Sequence, residues 1–175
     1  MVDGLAGAGS AAGYGGLASF LGWLEATPLS AAMRGGLWLY PIVEIIHIVG
    51  FVMLVGAAAM FDLRLLGWSR RLPVQALARH LLPWSVASVL LVIPAGLLMF
   101  SAHPHDFIGN QVFQLKLALI AAAGLNALVF HLGIYRSVAQ WNAKVAAPAL
   151  ARLQALASLA IWLAVISCGR LLAYT

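Results

Sequence analysis

The chain has 175 residues, of which 63% are hydrophobic and only 9% charged, and its mean hydropathy is +0.98. A soluble domain carries about 25% charged residues, so this composition cannot build an aqueous surface; it excludes a soluble enzyme, a disordered tail and a disulfide-rich secreted module. Ten Lys and Arg against five Asp and Glu leave a formal charge of +5, but the basic residues gather in two loops between apolar runs, where they read as membrane-topology signals and not as a nucleic-acid footprint.

Residues 1–16 are almost all Gly, Ala and Ser with Asp3 as the only charge. They lack the basic start of a signal peptide and read as a flexible lead. Leu17, Phe20, Leu21 and Leu24 then fall at i, i+3, i+4 and i+7, one apolar stripe of a short helix over 17–26 that suits the membrane interface. Thr27 before Pro28 is an N-cap followed by proline at the first helical position, which predicts a new helix leading into the first span. Residues 27–175 form the membrane domain, with four spans of about 20 residues or more, Leu37 to Phe61, Leu81 to Phe100, Val112 to Ile134 and Leu153 to Tyr174. The expected fold is therefore all-α, a polytopic four-transmembrane-helix bundle with a short N-terminal interfacial helix.

The loop from Asp62 to His80 holds Arg64, Arg70, Arg71 and Arg79, and the loop after the third span holds Arg136, Lys144 and Arg152. The positive-inside rule places both in the cytoplasm, and with them both termini on the periplasmic side of a bacterial inner membrane. Trp38, Tyr40 and Tyr174 on one side and Trp68, Trp84 and Trp141 on the other read as interfacial belts. Pro41 and Pro94 are expected to kink their spans, while Gly50, Gly56 and Gly124 permit close helix approach. There is no internal repeat of the kind that inverted-repeat transporters carry.

Ionisable groups at membrane depth need a partner, a cofactor or a cavity. Glu44 lies about 10 Å from its boundary with His47 a turn deeper, and Lys116 and Arg170 enter at a similar depth from the third and fourth spans, with Ser167 and Cys168 beside them. One reading pairs Glu44 with Lys116 or Arg170 inside the bundle, as a structural lock. The other makes His47 a cofactor ligand with the two cations facing a haem propionate or a quinone oxygen. Toward the opposite boundary, His80 and His131 come close in an antiparallel hairpin, as a bis-His haem requires, and Lys116, Ile120, Gly124, Ala127 and His131 make one stripe whose small residues leave room for a flat ligand. His47 and His131 are about 13 Å apart in depth and are not expected to share one iron.

His103 and His105 in the loop between the second and third spans form an HxH that suits a transition metal, with Met99 and Cys168 as soft ligands favouring copper. As the only cysteine, Cys168 forms no internal disulfide.

The segments WLYPIVEIIHIVG, FDLRLLG, LLPWSVAS followed by IPAGLLMF, FQLKLALIAAAGLNALVFH and CGRLLAY resemble an uncharacterised bacterial inner-membrane family of four-helix proteins, over Leu17 to Tyr174. The resemblance implies that Glu44, His47, Asp62, Arg64, Lys116, Asn126, His131 and Arg170 occupy the family's polar positions; it supplies no activity. More loosely, the chain is similar to b-type cytochrome membrane subunits and to the copper-resistance D membrane family, though it lacks two His pairs at matched depths. The leading expectation is an electron-transfer subunit that binds b-type haem and exchanges electrons with quinone or a periplasmic redox partner. A copper or small-solute permease and a cofactor-free subunit of a larger membrane complex are the alternatives.

Overall fold

The computed structural model describes residues 6–174, with side chains from Gly16 onward. Every regular element among them is helical. Helix α1 covers Ala6–Glu25, so it begins well before the Leu17 start expected from the apolar stripe; Ala6, Ala8, Ala11 and Ala12 carry high helix propensity that the stripe does not register. Met1 to Leu5 lie outside the described residues. Helix α2, Pro28–Gly35, starts where Thr27 and Pro28 require: Thr27 accepts from the Ser30 N–H at 3.3 Å, with proline in the first turn. It does not run into the first span, because the chain leaves the helix at Gly36.

Four helices are long and apolar enough to cross a membrane: α3 (Leu39–Leu66), α4 (Val74–Ala102), α6 (Gln111–Leu132) and α7 (Ala149–Leu171). The short α5, Pro104–Gly109, joins α4 to α6, and a 3-10 segment, Ile134–Gln140, follows α6. Ile45, Leu90 and Leu125 are 59%, 69% and 61% exposed, and outward faces of this kind suit a lipid surround, not water.

Two boundaries differ from the hydropathy reading for one physical reason. Residues 62–80 look like a polar loop, yet only Gly67 to Pro73 leave the helices. Asp62 and Arg64 are 6% and 2% exposed inside α3. Arg64 satisfies its guanidinium on backbone carbonyls, Nε donating to Leu72 at 2.7 Å and Nη2 to Arg70 and Asn142 at 3.2 Å each. Gly67, at φ 113°, then closes the helix in the left-handed conformation that glycine adopts without strain.

The spans form an incomplete ring. Helix α3 packs against α4 and α7, and α7 against α6, but the backbones of α4 and α6 make no pair within 8 Å Cα–Cα. At the α3/α4 crossing Gly50 allows a close approach: a Cβ there would stand 3.0 Å from Val92 Cγ2 and 3.1 Å from Leu91 Cβ. Gly56 and Gly124 meet nothing within 4 Å of an added Cβ, so they are not close-approach positions. Pro41 sits in the first turn of α3, where its missing N–H would be unpaired anyway; the prolines inside a helix are Pro83 and Pro94 of α4.

Two apolar clusters close the ends. At the basic end Leu65, Val74, Phe130, Trp141 and Ala151 pack together, and at the opposite, histidine end Met33, Val43, Ala95 and Ala102 do so. Trp141 is accordingly no belt residue: it is 3% exposed and donates from Nε1 to Ser137 Oγ at 3.0 Å. Trp38 and Trp68 remain 71% exposed. The two basic loops dock through Asn142, whose carbonyl accepts from Val74 N–H at 2.8 Å and whose Oδ1 accepts from Gln75 N–H at 2.9 Å.

Candidate functional site

Val43, His47 and Gly50 recur at i, i+4 and i+7 on α3, the stripe turned toward α4. His47 Nδ1 lies 3.0 Å from the carbonyl oxygen of Val92. A carbonyl only accepts, so Nδ1 carries the proton and the Nε2 lone pair of the neutral ring is left available. Gly96 makes room for the imidazole, since a Cβ there would be 3.1 Å from Cε1 and 3.4 Å from Nδ1. Lys116 comes within electrostatic reach of His47 from α6, with its ammonium over Gly169 of α7, 3.9 Å from where a Cβ would stand. All four spans therefore contribute to the His47 layer, and buried Cys168 belongs to it through its interaction with Lys116.

Glu44 and Arg170 do not join that layer as an ion pair. Glu44 is exposed and forms no salt bridge with Lys116 or Arg170 among the described residues. One residue beyond Val43, it is turned about 100° from the stripe that meets α4. Arg170 is also exposed; it donates to the Tyr174 hydroxyl and its guanidinium carbon lies 4.7 Å from the centre of that ring. The lock expected from Glu44 is thus replaced by a local contact at the end of α7. Ser167 is exposed as well and bonds back to Leu163 O at 2.9 Å.

Between the His47 layer and the basic end, a cavity of about 480 Å3 lies among α3, α4, α6 and α7. Ile120, Gly124, Ala127 and His131, four members of the stripe read from the sequence, line it; Lys116 does not. Helices α4 and α6 both form its walls, and their backbones stay more than 8 Å apart, Cα to Cα, along its length. Its floor on α7 is polar. Asn126 donates from Nδ2 to the backbone carbonyl of Gln154 at 3.0 Å, and one turn further along the same face Ser158 lies beside the carboxyl of Asp62. Asp62 Oδ2 and Gln154 Oε1 are buried with no hydrogen-bond partner.

The His80/His131 pair expected of a bis-His haem is not assembled. His131 lines the cavity at its rim, exposed, with Nδ1 2.8 Å from Ala127 O one turn back on its own helix. His80 is exposed and does not line the cavity. The pairing presupposed a closely packed hairpin of the second and third spans, and the backbones of those spans come within 8 Å Cα–Cα nowhere.

The HxH loop is likewise dispersed. His103 Nδ1 lies 3.8 Å from Asp106, whereas His105 Nε2 lies 3.7 Å from Glu25 at the end of α1. Met99 packs against the cluster around Met33, and Cys168 belongs to the Lys116 layer. Among the described residues no group of three His, Cys, Asp or Glu is placed to hold a metal ion.

Asp62, Gln154 and Ser158 carried no site assignment from the sequence. The i, i+4 spacing of Gln154 and Ser158 within an apolar span was a usable signal, because it places two polar side chains on one face at membrane depth. Comparison with protein-family models, curated proteins and solved structures gives no match to this chain.

Proposed function

We propose that the protein is an integral-membrane electron-transfer subunit of the bacterial inner membrane, holding b-type haem through His47 and exchanging electrons with a membrane quinone or a periplasmic redox partner. The observation that supports it is the His47 imidazole, fixed by its Nδ1–H on the Val92 carbonyl so that Nε2 is free to bind a metal. A backbone carbonyl holding the far nitrogen is the outer-shell arrangement typical of metal-ligating histidines.

The donor set fits one imidazole ligand, not two. His131 belongs to the cavity rim and His80 to neither place, so the bis-His arrangement is set aside. When bound, b-type haem supplies one-electron transfer at a potential set by its axial ligation, burial and nearby charge. The chain's own part is to orient His47 through Val92 and Gly96 and to offer the Lys116 ammonium to an anionic group. Basic loops in the cytoplasm and both termini in the periplasm follow from the positive-inside rule.

Protein expressed with ample haem and purified in detergent is expected to show a Soret band that His47→Ala removes and that His80→Ala leaves unchanged. Colourless wild-type protein, or an unaltered spectrum in His47→Ala, overturns the reading. Stoichiometric co-purification of other subunits with colourless protein would support a structural subunit instead.

A further inference from the structure

The cavity between the His47 layer and the basic end differs in chemistry along its length. Toward the His47 layer it is lined by Ile93 of α4, Ile120 of α6 and Trp162 of α7, and at the basic end by Arg79, His131 and Tyr135. The backbones of α4 and of the 3-10 segment that carries Tyr135 come within 8 Å of each other, and the ring centres of His131 and Tyr135 are 5.3 Å apart. We infer that this cavity holds one acyl chain of an anionic phospholipid from the leaflet at the basic end, with the headgroup phosphate at Arg79 and the Tyr135 hydroxyl. The assignment uses neither His47 nor Lys116 and stands independently of the haem reading.

Length, level and charge select that ligand. From Ile120 to His131 the lining follows α6 for about 16 Å, which matches one leaflet, half of a hydrocarbon core about 30 Å thick; a compact solute would fill only part of that length. The volume of about 480 Å3 lies in the range of small-ligand sites, about 300–1,000 Å3, so it takes one chain and leaves the lipid's second chain in the bilayer. Leu82 and Ile93 of α4 and Ile120 and Ala127 of α6 wall the cavity and are also exposed. Helix α4 has 29 residues, about 43 Å, and overruns the core, so that Arg79 in its second turn reaches headgroup level. Arg70, Arg71, Arg136, Lys144 and Arg152 are exposed at the same end, whereas Glu25, Glu44 and Asp106 belong to the histidine end. Asp62, the one carboxylate of the lining, is 6% exposed and buried beside Ser158. A guanidinium suits a phosphate through its paired N–H groups, and basic pockets between spans are the setting in which anionic headgroups bind.

The test reconstitutes the full chain in phosphatidylcholine vesicles and titrates in phosphatidylglycerol or phosphatidylcholine brominated in one acyl chain. Bromine quenching of Trp162 is read as the difference between wild type and Trp162→Phe. Phosphatidylglycerol is expected to be preferred about tenfold, and Arg79→Gln should lower that preference about fivefold, the worth of one basic side chain beside an anionic headgroup. Arg71→Gln, which removes an exposed charge at the same end that does not line the cavity, should change it by less than about twofold, since solvent and salt screen a charge outside the site. Two variants fill the cavity from exposed wall positions: Ala127→Phe, and Gly124→Leu, where an added Cβ meets nothing within 4 Å. Both should remove the preferential quenching. Equal quenching by the two lipids, equal effects of Arg71→Gln and Arg79→Gln, or unchanged quenching in both filled variants overturns the assignment and leaves ordinary boundary lipid only. Loss of the preference on adding inorganic phosphate also overturns it, because the acyl chain would then contribute nothing to the site.

Discussion

Gly96→Ala probes the His47 arrangement with the smallest possible change. The added Cβ would stand 3.1 Å from His47 Cε1 and 3.4 Å from Nδ1, where comfortable carbon contacts begin near 3.5 Å, so the ring must retreat by about half an ångström. The Nδ1–H bond to Val92 O, now 3.0 Å, lengthens out of hydrogen-bonding geometry and forfeits about 1 kcal/mol. In the opposite sense, alanine is favoured over glycine inside a helix by about 1 kcal/mol. The two effects nearly cancel in stability, and the melting temperature is expected to move by only a few degrees. Under the proposed haem ligation by His47, cofactor affinity would have no such compensation, since loss of an outer-shell bond to a ligating histidine costs about 10–100-fold. Haem titration and thermal unfolding of the same preparation check this, with imidazole 15N shifts of the haem-free protein reporting the His47 tautomer. If Gly96→Ala keeps wild-type haem affinity with the proton still on Nδ1, the contact with α4 does not orient the ring and the reasoning fails.

Arg64→Leu is expected to destabilise the protein by about 1–3 kcal/mol, because it removes the hydrogen bonds of a buried guanidinium to the carbonyls of Leu72, Arg70 and Asn142. Arg64→Lys should recover only part of this, since an ammonium cannot reproduce the guanidinium fork; denaturant titration in mixed micelles measures both, and wild-type stability in Arg64→Leu would refute the role. At the α3/α4 crossing, Gly50→Val should cost about 1–3 kcal/mol through overpacking against Leu91 and Val92. Gly56→Val, into open space, should change stability by less than about 0.5 kcal/mol, and equal effects at the two glycines would contradict the packing described.

The four spans, the Thr27 cap and the open stripe on α6 were legible in the sequence because each rests on local periodicity or on one residue's conformational preference. The reach of α3 and α4 past Phe61 and before Leu81 was not, since a hydropathy window scores Asp62 and Arg64 as polar whatever they bond. Arg64 is made compatible with burial by carbonyls at Leu72, Arg70 and Asn142, the last of them 78 residues away. Trp141 misled for a similar reason: an aromatic beside a basic loop has the composition of a belt residue, and only the cluster of Leu65, Val74 and Phe130 reveals it as core. Glu44, Lys116 and Arg170 were read at similar depth with His47 a turn deeper, but depth says nothing about rotation: Glu44, though within electrostatic reach of His47 as Lys116 is, is exposed and joins neither cation in a salt bridge among the described residues.

The gap between α4 and α6 is built rather than left over. At the histidine end the two helices meet through side chains, Phe100 of α4 stacking on Phe113 of α6 with ring centres 5.8 Å apart and Phe107 of α5 packed against both. At the basic end the start of α4 is tied to the loop beyond α6 through Asn142. On its other flank α4 is pinned to α3 by the Gly50 crossing and the His47 bond. With both ends and one side fixed, α4 cannot slide toward α6. The wall residues Ala123, Gly124 and Ala127 are too small to fill the space from the α6 side. A bundle selected only for stability would place larger side chains there, since each buried methylene is worth about 0.8 kcal/mol. Small residues on the α6 side and a start of α4 tied to the loop beyond α6 together leave the space between these helices unfilled by the chain's own side chains.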